Sequence, residues 1–410
     1  LISFKYSYRK IFLNQAFKPL KIMKRIFTFV FYILSLASCD TTSKKAGVQA
    51  VNPDGSVMQE GKDYVILKRF RVMDQQGFSQ PLEVSSFLLP ASWTVNSDVS
   101  WNFTNKCLPD RLQASVQAVS PDKEYELFVY PATQFDWSDD PIYLDAMQKG
   151  FVMHSCTIAQ PQDAAGYIIT IMAPYLNATV KSAGIIEDLQ QQMNAGAMQM
   201  TQAARQGGNT AYNHKGSAAE GLLQFEEGKE GLAFCTLMQT LVSVPGAQGG
   251  MSTNTQCYVS MRVVIKYKPG NEPMARKIMS TFFSSARINP QWAGGVQAYF
   301  AAVTRNAQDE GWKQIQISHQ AQQEIGDNII RSWESRNAGS SSPSSDTDGF
   351  GQYLRGVDNW TDDGGNKVEL TSGYSNAWSR GDGSYMLSNN PAFDPNTIAG
   401  ETQSWSRLKQ

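Results

Sequence analysis

His154 and Cys156 are the residues whose types come nearest to a nucleophile and its base. A cysteine attacks as the thiolate and needs a base in hydrogen-bond contact. Two positions apart on a strand, the pair would share a face without touching, so the spacing argues against that chemistry. His214 and His319 are isolated, and scattered histidines without fixed spacing make no zinc site. Asp346, Asp348 and Gly349, and again Asp358, Asp362 and Asp363, carry a trace of calcium-loop spacing. Both sets lack the alternating acids and the closing Glu, and they read as turns. Gly246, Gly249 and Gly250 fall between two expected strands and not before a helix, so they form no phosphate cradle. There is no Gly-rich loop followed by Lys and Ser/Thr, and no Ser in a nucleophile elbow. Arg380-Gly381-Asp382 is explained as a hairpin turn. No catalytic residue, metal or cofactor is expected, and the balance leans away from an enzyme without deciding it.

The strongest chemical signal is one of processing. Met23 to Cys39 reads MKRIFTFVFYILSLASC, with Lys21, Lys24 and Arg25 ahead of an apolar run, Ile26 to Leu36. That run is short for a permanent membrane span. A basic start, a short apolar core and small residues at its end describe a secretory signal peptide. Leu36-Ala37-Ser38-Cys39 resembles the lipobox of bacterial lipoproteins at all four positions. The resemblance implies that Cys39 becomes the first mature residue and carries lipid on its sulfur and its amino group. Residues 1–38 are then leader and signal peptide, removed, and more than one acyl chain gives a stable anchor. This places the protein in a bacterial cell envelope, tethered to a lipid bilayer.

Basic and acidic residues number 36 and 37, too even a balance for a nucleic-acid footprint. Four further cysteines, Cys107, Cys156, Cys235 and Cys257, are an even set in an exported chain and suggest disulfides. Three pairings are open. Cys235 with Cys257, on two strands expected to be neighbours, and Cys107 with Cys156 are favoured; free buried thiols are the alternative.

The elements that would position these residues follow from periodicity. Residues 39–61 are polar and unpatterned, a lipid-anchored flexible tether. Residues 62–288 read as an α/β domain. Tyr64 to Val72 has strand character, and Trp93 to Phe103, Leu112 to Ala118 and Tyr125 to Val129 alternate apolar with polar residues. Their quick succession, with a turn at Ser120-Pro121-Asp122-Lys123, argues for antiparallel pairing. Pro141 to Gly150 is a short helix with Asp139 or Asp140 as cap. Tyr167 to Met172 is an apolar run of strand length. Ile186, Leu189, Met193, Ala197 and Met200 form the buried stripe of a helix. Strands follow at 211–215, 221–225 and 232–244. A last strand turns Cys257, Val259, Met261, Val263, Ile265 and Tyr267 one way and Ser260, Arg262, Val264 and Lys266 the other. A helix with Pro273 in its first turn closes the domain.

Residues 289–336 read as a long helix, 337–348 as a Ser-rich linker and 349–410 as a small aromatic-rich β tail. Trp360, Trp378 and Tyr385 are the tail's candidate ligand-stacking residues. A core of its own would be thin at this size, so the tail is expected to dock on its neighbours and most of its aromatics to be internal.

Leu89-Pro90-Ala91-Ser92-Trp93, Val99-Ser100-Trp101 and Ser120-Pro121-Asp122 before Val129-Tyr130-Pro131 resemble the opening of PsbP-like domains. Ala286-Arg287-Ile288-Asn289-Pro290 resembles their close, so the likeness spans roughly residues 84–292. It implies an α+β fold, an antiparallel sheet with flanking helices, acting as a binding or assembly module. Val368-Glu369-Leu370, Ser372-Gly373-Tyr374 and Tyr385-Met386-Leu387-Ser388 resemble a recurrent C-terminal segment of bacterial exported proteins, which implies no activity. The sequence thus predicts a membrane-anchored, non-enzymatic module for an envelope protein partner. The alternatives are an envelope hydrolase with a dispersed carboxylate site, or a glycan-binding module using the tail aromatics.

Overall fold

The computed structural model describes residues 58–61, 63–150, 156–206, 211–247, 249–310, 357–391, 393–398 and 404–410. Cys39 with the leader, His154, His319, Asp346, Asp348, the continuation of the long helix and the Ser-rich linker lie outside these residues.

The fold is mixed, with mostly antiparallel sheets and a few helices. Strand β1 (Tyr64–Asp74) pairs with β2 (Leu82–Pro90). Next come β3 (Thr94–Trp101), β4 (Leu112–Val119) and β5 (Tyr125–Tyr130), consecutive and antiparallel as the alternation predicts. The expected turn is closed by Lys123 N–H donating to Ser120 O at 2.9 Å. After β6 (Thr133–Ser138) comes helix α1 (Pro141–Gln148), which starts where Asp140 accepts from the Ile142 and Tyr143 amides at 2.9 and 3.2 Å. β7 (Thr157–Ile158) runs parallel to β6.

The segment expected as a strand at 167–172 is helical. It comprises α2 (Ala164–Tyr167), a π turn (Ile168–Met172) and α3 (Ala173–Tyr175). A short apolar run does not separate a buried helix from a buried strand. The missed signal is Asp163, whose carboxylate caps the Gly166 amide at 2.7 Å.

β8 (Ala178–Ile185), helix α4 (Glu187–Gln206), β9 (Tyr212–Phe225), β10 (Glu230–Pro245) and β11 (Met251–Tyr267) build the rest of a nine-stranded sheet. The two short strands expected at 211–215 and 221–225 are one, β9. The predicted stripe holds at Ile186, just before α4, and at Leu189 and Ala197 on it, but stops before Met200, which is 47% exposed.

This sheet is covered on both faces. Val116, Leu127, Leu232, Phe234, Val263 and Ile265 meet Ile278, Phe282 and Phe283 of helix α5 (Glu272–Ser285) in one core. Ala219, Leu223, Ala233, Cys235, Val259 and Val264 meet Tyr167, Ile168 and Met172 in the other. The single apolar face read for β11 is therefore corrected. Val263, Ile265 and Tyr267 face the first core, whereas Val259 joins Val264 in the second. The β10–β11 register slips between Thr236 and Leu237, leaving Ser260 as an extra residue, and such a bulge reverses the alternation.

A six-stranded sheet has the order β12-β2-β1-β16-β15-β17. Its members are β12 (Arg287–Ile288), the first two strands, β15 (Asn376–Ser379), β16 (Ser384–Ser388) and β17 (Ser406–Arg407). Strands from 62–288 and from 349–410 thus share one sheet. Helix α6 (Pro290–Glu310) is the described part of the segment read as a long helix. The hairpin of β13 (Val357–Thr361) and β14 (Lys367–Thr371) packs Trp360, Val368 and Leu370 against Leu67 and Leu88.

At the end of β1 the fully buried Asp74 accepts four hydrogen bonds. The Gln76 and Gly77 amides lie at 2.9 and 2.8 Å, and the Trp101 and Trp292 indoles at 2.8 and 3.0 Å. A side chain at Gly77 would put its Cβ 2.5 Å from Trp101 Nε1, so this close approach needs glycine.

Candidate functional site

The structure sorts the residues singled out in the sequence. Cys107 and Cys156 form a disulfide with Cα atoms 4.6 Å apart. Cys235 and Cys257 do not pair, which corrects the favoured bridge. Cys235 lies opposite Arg262 and Cys257 opposite Gln239, so about 13 Å of strand separates them, beyond the roughly 7 Å a bridge tolerates. Burial pushes the Cys235 thiol up to about 12 and the Cys257 thiol up to about 11. Both stay protonated at neutral pH and are inert. A thiol reagent should therefore find none of these four cysteines in the folded chain and two of them after unfolding without reductant.

Trp360 and Trp378 are only 2% and 5% exposed, and Tyr385 is half-buried. The two indoles fill the cores beside the six-stranded sheet, so the stacking role read for Trp360 and Trp378 is corrected. The Arg380-Gly381-Asp382 turn joins β15 to β16, with Arg380 paired to Asp382 at 3.1 Å and Gly381 at φ 81°. Asp362 accepts from the Asn366 amide at 2.8 Å, and Asp363 pairs with Lys409 at 3.1 Å. Asp362 closes its own turn, and Asp363 ties that turn to the segment after β17. His214 Nδ1 contacts the Thr240 hydroxyl at 3.1 Å, and burial lowers its pKa.

A different constellation lies on the second core face. Sheet register lines up Cys235, Arg262 and Tyr130 on three adjacent strands. Above them passes the helical segment that carries Tyr167 and Tyr175. In a regular α-helix two residues eight positions apart are turned about 80° from one another. The π turn absorbs one residue and returns the two tyrosines to one side. Pro174 fits this widening, because it has no amide to donate back along the helix. Asn177, at φ 52°, ends the segment.

The Arg262 guanidinium carbon lies 5.7 Å from the ring centre of Tyr130, 6.0 Å from Tyr167 and 5.8 Å from Tyr175. The Tyr130 and Tyr175 rings meet edge to face at 5.9 Å. Arg262 is half-buried, Tyr167 is 1% exposed and Tyr175 is 65% exposed, so the cluster runs from the core to the surface. Arg262 Nη1 donates to Pro131 O at 2.9 Å, between the segments of β5 and β6 that pair with β11. Arg262 Nε and the Tyr167 hydroxyl are buried without a hydrogen-bond partner. Burial pushes the hydroxyls of Tyr130 and Tyr167 up to about 12, against the pull of the Arg262 charge.

That burial has a measurable sign. Unfolded tyrosines ionise near pH 10, while these two keep their protons to about 12. In that window the folded state binds more protons than the unfolded one, so stability falls as pH rises through it. A phenolate absorbance titration should show a late-titrating class that disappears in denaturant.

Chemically, the cluster offers one cation, ring faces and phenolic donors. That is equipment for binding, and Tyr and Arg are the side chains that most often dominate protein contacts. Clefts among the described residues also lie elsewhere. One of about 500 Å³ runs between β8, α4 and α5, where Arg276 is already held by Glu220 at 3.1 Å and Glu272 at 2.8 Å. Another of about 460 Å³ is lined by Trp360, Arg407 and Lys409. Among the described residues no group of three or more metal-ligating side chains occurs, and no helix is long and apolar enough to cross a membrane. Sequence reasoning missed all four members of the cluster, because their closeness comes from strand register and one π turn and not from spacing. No protein-family model, curated protein or solved structure matches this chain.

Proposed function

We propose that this chain is a lipid-anchored binding module of a bacterial envelope, tethered through acylated Cys39, which holds a protein partner at the Tyr130–Tyr175–Arg262 face. The observation that carries the docking site is a half-buried guanidinium flanked by three tyrosine rings, one of them 65% exposed. Such clusters supply large rigid contact area at low entropic cost. The lipobox resemblance supports the anchor. The PsbP-like reading of residues 84–292, a family of binding and assembly modules, points the same way, and the tail acts as part of the scaffold.

A photo-crosslinking residue tests this, placed at Tyr175 or, as control, at Met251, which is 70% exposed and outside the cluster. In cells, the Tyr175 position should give a discrete protein adduct and the Met251 position none. No adduct at Tyr175, or the same adducts at both, would reject the docking face. The anchor has its own readout: Cys39→Ser should move the chain from the detergent-extracted to the aqueous fraction.

A further inference from the structure

We propose that Arg262 is an unmatched receptor for a carboxylate, and that the partner places an Asp or Glu side chain against it. This rests on the docking reading above and names the chemistry of the contact. Three arginines elsewhere hold carboxylates: Arg71 holds Glu83 at 3.3 Å, Arg276 holds Glu220 and Glu272, and Arg380 holds Asp382. The buried Arg111 is held instead by Asn105 O at 2.6 Å and the Tyr299 hydroxyl at 3.1 Å, so unlike Arg262 its Nε and Nη1 donors both have acceptors. Arg262 is half-buried, yet among the described residues no carboxylate pairs with it. Asp163, at the start of the helical segment above, is committed to the Gly166 amide at 2.7 Å.

Of the five guanidinium N–H donors, one reaches Pro131 O at 2.9 Å, and Nε has no partner. The ring faces of Tyr130, Tyr167 and Tyr175 stabilise the charge, but they accept no conventional hydrogen bond in the guanidinium plane. The edge of that plane is a fork matched to a planar carboxylate. The Tyr167 hydroxyl and Arg262 Nε are closed to solvent, so an incoming carboxylate is offered the Nη edge of the fork. A phosphate dianion fits less well, because the groups gathered here include no second cation. Partial burial of the guanidinium strengthens a single charge pair relative to one in open water.

The test uses the full chain in detergent and two labelled peptides of equal length, hexaglutamate and hexaglutamine, read by fluorescence anisotropy. Hexaglutamate should bind, weaken with added salt, and bind at least about tenfold more tightly than hexaglutamine. Arg262→Gln should weaken hexaglutamate by about thirtyfold, and Arg262→Lys should not restore it, because the fork is lost. A measurement on the unaltered chain stands beside these variants in case they fail to fold. Acetate should displace hexaglutamate at lower concentration than inorganic phosphate does. The reverse order, or no binding of hexaglutamate, overturns the proposal. Equal binding of the two peptides, lost in Tyr175→Ala, overturns the carboxylate while keeping the docking face. A missing crosslink at Tyr175 together with silent peptides removes both.

Discussion

Replacing Asp74 by alanine should destabilise the fold by roughly 3–5 kcal/mol, because each buried donor left unpaired costs about 1–3 kcal/mol. Four donors depend on this carboxylate, and both indoles come from other elements: Trp101 ends β3 and Trp292 opens α6. The loss therefore reaches beyond one turn. Asp74→Asn should retain the volume yet turn an amide donor toward at least one of the four, and should cost less than alanine while remaining clearly measurable. Urea unfolding followed by tryptophan fluorescence is suited to the question, since two of the reporters sit on the carboxylate. A change under about 1 kcal/mol for alanine would show that water replaces the lost acceptor and that this node is dispensable.

The other large effect belongs to the Cys107–Cys156 bridge. It closes a span of 49 residues, and chain entropy alone assigns such a loop about 4 kcal/mol. The double replacement Cys107→Ala with Cys156→Ala should lower unfolding stability by up to that amount, with reductant having no further effect on the variant. Cys156 also presents its amide to Asp136 at 3.2 Å, so the bridge holds the start of β7 against β6. An unchanged midpoint would mean that the unfolded chain is already compact across that span.

Much of the scaffold was legible in the residues themselves. Alternation marked β3, β4 and β5, and Asp140-Pro141 marked the start of α1, because these are local signals within one element. Legibility failed where a tertiary partner decided. The run at 167–172 buries Tyr167, Ile168 and Met172 against the sheet but also carries Ile169 on its exposed side, so its period is blurred and could not name it. The face reversal in β11 depends on Ser260 having no counterpart on β10, a property of two strands together. Cys235 and Cys257 were placed on neighbouring strands correctly, but register, unlike neighbourhood, is not written in either strand. The Arg262 cluster combines both failures: its members come from three separate elements, and one of those was read as a strand.

One strand pairing has a consequence for how this chain is made. Tyr64 lies beside Ser388, and the Ser388 hydroxyl donates to Asp63 O across 325 positions. During synthesis from the N-terminus, one side of β1 stays open until residues 384–388 have emerged. Joining ends so distant is entropically slow, and a bare strand edge invites wrong neighbours in the meantime. Chains shortened before β15 should therefore accumulate as aggregates, and the nascent protein needs either delay or an escort while that edge waits for its last partner.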